Sequence, residues 1–145
     1  MGFETLRLER TSSMAIVREI VERTGDMALL IVFSYSVTDV WIRQLMNLRR
    51  EKQIEKVVMV LDRDVIIRHR EKLHQLQFAA DEVYLTDTHA KIYLAKNKCK
   101  TTAAVTSANA TNNLRNECYF ITDGPVTGQI EDDIRRVLAE AYRVI

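Results

Sequence analysis

Between residues 89 and 117 the sequence carries the side chains that a phosphoryl transfer needs: His89, Lys91, Ser107, Asn109 and Glu117. An imidazole can attack phosphorus or move a proton, a lysine places a point charge on a phosphoryl oxygen, and Ser and Asn donate hydrogen bonds to it. A carboxylate on the other imidazole nitrogen would fix the tautomer and steady the cationic ring. The segments bearing these residues, 90–95, 103–107 and 118–121, read as short strands with polar connections. Side chains alternate along a strand, so His89, Lys91 and Tyr93 share one face while Ala90, Ile92 and Leu94 enter the core. The same rule sets Ser107 beside Asn109 and Glu117 beside Tyr119. Three neighbouring strand ends can therefore converge on one phosphodiester.

The elements that must position these ends are legible upstream. Ser12 and Ser13 are N-cap candidates and Gly25 a stop for a helix whose Ile16, Val17, Ile20 and Val21 recur at helical spacing. Residues 28–33 form a continuous apolar run, as expected of a central strand covered on both faces. Asp39 can cap a helix over 40–51 that buries Trp41, Leu45 and Leu48; a second buried strand follows at 57–61, then a helix over 64–76 using Val65, Leu73 and Leu76. A strand at 82–85 precedes the chemistry-bearing cluster. Pro125 sits in a turn, and Thr127 starts a last helix with an apolar stripe of Ile130, Ile134, Val137, Leu138 and Ala141. The order implies an α/β fold: one mixed sheet with helices on both faces, in a single domain over residues 1–145. The first ten residues read as polar and charged, with no secretory run.

Composition narrows the function class. The 145 residues are 47% hydrophobic and 28% charged, which is globular, and the net charge of +1 excludes a wholesale polycation. A nucleic-acid surface must then be a local patch. From residue 90 to 116 five basic residues (Lys91, Lys96, Lys98, Lys100, Arg115) occur without one Asp or Glu, which favours a polyanionic substrate, with Lys96, Lys98, Lys100 and Arg115 as candidate backbone contacts. Cys99 and Cys118 form no CxxC, and with His89 they match no zinc spacing. The longest apolar run, 27–33, is too short to span a bilayer. A cytoplasmic chain without metal or other cofactor is the expectation.

On these residues the chain resembles the phospholipase D superfamily, whose signature is HxK, four residues and Asp, then GSxN and a trailing acid. His89-Ala90-Lys91 supplies HxK, Thr106-Ser107-Ala108-Asn109 stands where GSxN falls, Thr111 fits the Thr often found after that Asn, and Asn116-Glu117 resembles the trailing acid. Lys96 replaces the signature Asp, and Thr106 the glycine. The resemblance implies a phospholipase D-like fold and a metal-independent phosphodiesterase, with DNA the favoured substrate.

Only one HxK is present, since His69 and His74 are followed two residues later by Glu71 and Leu76. In that family two such motifs surround one phosphate, which implies a homodimer like that of the short single-motif bacterial nucleases. His89 of one subunit would attack phosphorus, and its counterpart would protonate the leaving oxygen. Lys91 and Asn109 would hold the non-bridging oxygens, Ser107 would assist, and Glu117 would orient His89. The rival reading is a catalytically weak nucleic-acid-binding module; a lipid phosphodiesterase lacks any membrane-binding amphipathic stretch. The blander readings are a solvated hairpin tip for Lys96, Lys98 and Lys100, surface positions for His69 and His74, buried or idle thiols for both cysteines, and a solvated helix end for 49–52.

Overall fold

The computed structural model describes residues 2–145. Its elements are β1 (Glu4–Thr11), α1 (Ser13–Thr24), β2 (Leu29–Ser34), α2 (Asp39–Lys52), β3 (Lys56–Asp62), α3 (Arg63–Arg68), α4 (Glu71–Ala79), β4 (Glu82–Thr86), β5 (Ile92–Lys96), β6 (Thr101–Thr106), β7 (Arg115–Thr122), α5 (Val126–Glu140) and β8 (Tyr142–Arg143). All eight strands join one sheet in the order β1-β7-β6-β5-β2-β3-β4-β8. The pairs β2·β3 and β3·β4 are parallel because helices connect those strands; β5, β6 and β7 run antiparallel through short links. The expected mixed sheet is thus observed.

Two cores lie on its two faces. Helices α1 and α2 pack Ile16, Val17, Ile20, Trp41, Leu45 and Leu48 with Leu30, Val32, Met59 and Tyr93. On the other face α5 lays Ile134, with Ile130, Val137 and Leu138 beside it, over Ile31, Phe33, Val58, Val60 and Leu94. Strands β2 and β3 are therefore apolar over 29–33 and 57–61, since neither face meets water there.

Several boundaries differ from the sequence reading. The cap of α2 is Thr38, whose hydroxyl accepts from the Trp41 N–H at 3.3 Å; Asp39 lies in the first turn and accepts from Lys72 at 2.7 Å. The helix expected over 64–76 is two helices. Asp62 caps the first through the Asp64 and Val65 amides, and the chain breaks at His69 so that α4 can seat Leu76 and Ala79 in the core. Strand β1 was not foreseen, because its pattern is inverted: Leu6 and Leu8 are exposed, while Thr5, Arg7 and Glu9 turn towards α1. The short β8 was missed as well, and the last residue of the stripe, Ala141, is the C-cap of α5 rather than part of the helix.

Candidate active site

Strand register gathers the chemistry-bearing residues at one end of the sheet. Phe33 of β2 pairs with Ile92, Ile92 with Val105 of β6, Thr106 with Tyr119 of β7, and Glu9 of β1 with Glu117. The end of β2, the start of β5, the end of β6 and the start of β7 thus lie side by side. The segments carrying His89 and Lys91, Ser107 and Asn109, and Glu117 are brought together.

The loop after β6 is fixed from several directions. The Thr106 hydroxyl accepts from the Ala108 N–H at 3.0 Å and donates to the Cys118 carbonyl at 3.1 Å, so the threonine in place of the family glycine ties a local turn. Buried Tyr93 donates its hydroxyl to the Ala108 carbonyl at 2.7 Å. Its burial, reinforced by the nearby negative charge of Glu117, pushes the Tyr93 phenol well above its ordinary value, so it stays a donor. Tyr93 lies beneath the site rather than in it, fully buried, and His89 and Lys91 precede β5 instead of sharing a strand face with it. Asn109 Oδ1 accepts from the Tyr35 N–H at 3.1 Å and lies 3.3 Å from the Ser34 hydroxyl, which donates to the Ser36 carbonyl at 2.5 Å and accepts from the Ala110 N–H at 2.8 Å. With its oxygen so held, the Asn109 amide nitrogen donates to no group among the described residues.

The loop before β5 hangs on Asp62. This buried carboxylate caps α3 and also accepts from the Thr88 N–H at 3.2 Å, while the Thr88 hydroxyl accepts from the Ala90 N–H at 3.0 Å. His89 between them is exposed, and its ring stacks on Tyr35 with centroids 4.7 Å apart and planes 18° apart. Lys91 is half-buried; its carbonyl accepts from the Thr106 N–H at 3.1 Å, and its ammonium has no partner among the described residues.

Glu117 does not orient His89. Its Oε1 accepts from the Ser107 hydroxyl at 2.6 Å, that hydroxyl accepts from the Cys118 N–H at 3.1 Å, and the His89 side chain makes no hydrogen bond among the described residues. A serine has one hydroxyl proton, so Ser107 here organises the carboxylate instead of facing the centre.

The basic strip divides. Lys96 is paired with Glu131 at 2.8 Å and Lys100 with Asp123 at 2.9 Å; with exposed Lys98 they surround the β5–β6 turn, at the far end of the hairpin from His89. Lys96 lies five residue steps, roughly 17 Å, along the strand direction from Lys91. These three candidate backbone contacts therefore lie apart from the sheet end that carries His89. Arg115, exposed at the start of β7, is at the site end.

Sequence reasoning missed Tyr35, Ser34 and Asp62. An aromatic and two small polar residues immediately after apolar strands were the available signal, because strand ends in such sheets face the open edge. Cys99 and Cys118 are exposed free thiols, and among the described residues no three His, Cys, Asp or Glu side chains are grouped as a metal ion needs. No described helix is long and apolar enough to cross a membrane.

No protein-family profile and no curated protein matches the sequence. Among solved structures the chain is similar to polyphosphate kinase from Porphyromonas gingivalis, with a TM-score of 0.59 and 16% identity over 92% of this chain and 22% of that one. It is also similar to TrmBL2, an archaeal chromatin protein with a novel mode of DNA binding, with a TM-score of 0.58 and 10% identity over 97% of this chain and 55% of that one. A mutant yeast tyrosyl-DNA phosphodiesterase aligns at a TM-score of 0.49 with 15% identity, over 84% of this chain and 32% of that one. The chain thus spans about a fifth of the kinase and about half of the chromatin protein. What it shares with the kinase and the chromatin protein is the fold, a mixed sheet flanked by helices.

Proposed function

We propose that the chain is a phosphodiesterase, and more narrowly a metal-independent DNA endonuclease that works through a phosphohistidine at a site completed by a second copy of itself. The observation that carries this reading is a set of unclaimed groups at one sheet end. The exposed His89 imidazole, the Lys91 ammonium and the Asn109 amide nitrogen all stand on backbone that neighbouring hydrogen bonds pin in place. Support for phosphoryl chemistry also comes from the fold shared with a polyphosphate kinase, and support for a DNA partner from the likeness to a DNA-binding chromatin protein.

In the first step an imidazole nitrogen of His89 bonds to phosphorus and the bond to the leaving oxygen breaks. That oxygen takes a proton from His89 of the partner subunit. In the second step the partner's imidazole takes a proton from water, the resulting hydroxide bonds to phosphorus, and the phosphorus–nitrogen bond breaks. Both histidines return to their starting states, so the cycle closes with one water consumed. Lys91 and Asn109 stabilise the charge on the non-bridging oxygens. Because the nucleophile is an imidazole, neither step calls for a metal-activated water. Exposed free thiols fit a cytoplasmic setting.

The test is hydrolysis of bis(p-nitrophenyl) phosphate and plasmid DNA in excess EDTA by wild type and His89→Ala, with mass measured by light scattering. Chelator-resistant cleavage by a dimer, lost in the variant, is the expected result. A folded wild-type dimer that binds DNA without turnover would overturn it in favour of a binding module, the reading that the likeness to TrmBL2 favours.

A further inference from the structure

We infer that Tyr35 is the positioning residue for His89, its ring setting the plane of the imidazole. The inference rests on the nucleophilic role proposed for His89 and deepens it. An exposed histidine at a strand end has several rotamers open to it, and holding one costs conformational entropy. Among the described residues no hydrogen bond makes that choice for His89, and Glu117, the carboxylate expected from the sequence to do so, is engaged by Ser107. What remains is the stack on Tyr35, at 4.7 Å and 18°, within the offset-stacked range for aromatic pairs.

Tyr35 is itself fixed. Its N–H donates to Asn109 at 3.1 Å, the preceding Ser34 hydroxyl accepts from Ala110 at 2.8 Å, Val37 forms a bridge with Ala110, and the Thr38 N–H donates to the Ala110 carbonyl at 3.0 Å. The segment after β2 and the loop after β6 therefore form one body, and the phenol ring belongs to it. The Asn109 amide and the His89 ring are thus positioned by the same few residues.

Stacking also suits the chemistry. A hydrogen bond would orient the imidazole by occupying one of its nitrogens, whereas a ring against its face leaves both free, so that His89 can bond phosphorus in one subunit and pass a proton in the other. The ring that carries the phosphoryl group is cationic, and the negative face of a phenol attracts a cation.

The experiment uses the full chain with Tyr35→Leu and Tyr35→Phe. In proton NMR the His89 ring resonances, assigned by their loss in His89→Ala, lie upfield in wild type through the ring current of Tyr35. They should move towards those of exposed His69 in Tyr35→Leu and stay upfield in Tyr35→Phe. In turnover, Tyr35→Leu should lower kcat by about tenfold to a hundredfold with little change in KM, the range for a misplaced reacting group, and Tyr35→Phe should recover most of the loss. His89 resonances unmoved in Tyr35→Leu, or wild-type kcat in that variant, would overturn the inference. A wild type with no turnover would instead strike the phosphodiesterase reading, and the resonances alone would then decide the role of Tyr35.

Discussion

Tyr93 and Ala108 are joined through the floor of the candidate site: the phenol hydroxyl of one donates to the backbone carbonyl of the other at 2.7 Å, with both residues buried. Removing the hydroxyl leaves a buried carbonyl without its donor. Tyr93→Phe should therefore lose about 1–3 kcal/mol of stability in urea denaturation. The loop that carries Asn109 should loosen at the same time, with faster amide hydrogen exchange at Ala110.

Ser107 and Glu117 should behave as a unit. Each single change to Ala breaks the same 2.6 Å hydrogen bond, so the double variant should be less damaged than the two singles added together. For an exposed charge-assisted bond the coupling should be about 1 kcal/mol, read from a double-mutant cycle in urea. Strict additivity would show that the pair does not organise this edge.

The division of the basic residues predicts unequal roles in DNA binding. Arg115→Ala should reduce the slope of log affinity against log salt by about 0.9 if it neutralises one phosphate. Lys98→Ala, at the far hairpin turn, should leave the slope where it was. Fluorescence anisotropy over a salt series distinguishes these outcomes.

Asp123 ties the start of β1 to the turn before α5. The Phe3 backbone N–H and then the Lys100 ammonium, 2.9 Å away, hold its carboxyl below the ordinary value. Since the folded state binds this proton less readily than the unfolded one, the stabilisation is present in full above the unfolded value near about 4. It is lost as pH falls through the lower folded value. Wild type should therefore lose more of its urea midpoint between about pH 5 and pH 2 than Asp123→Asn does.

The parts of the fold read correctly from sequence are those where burial speaks through periodicity. The apolar runs of β2 and β3 and the spacing in α1 announced their surroundings, because a residue enclosed on every side has little choice of type. The segments bearing His89, Lys91, Ser107, Asn109 and Glu117 were also legible as neighbouring strand ends. What could not be read were relationships that sequence spacing does not encode. Tyr35 lies far along the chain from His89 and meets it only because β2 and β5 pair; Glu117 turns to Ser107 because their backbones are already bonded through Cys118. The lysines looked like one strip only because a hairpin folds a continuous stretch of sequence into two separate ends.

The position of β1 bears on how the chain is made. Glu9 meets Tyr119, 110 positions further along the chain, and every β1 pairing is to β7. The earlier strand must therefore wait for a partner that is synthesised much later. During translation Leu6 and Leu8 stand on an unpaired edge, open to other nascent chains. Contacts this distant in sequence form slowly. Closure of the β1·β7 seam is then a late event in folding, one that a ribosome-bound chain cannot reach until β7 has emerged.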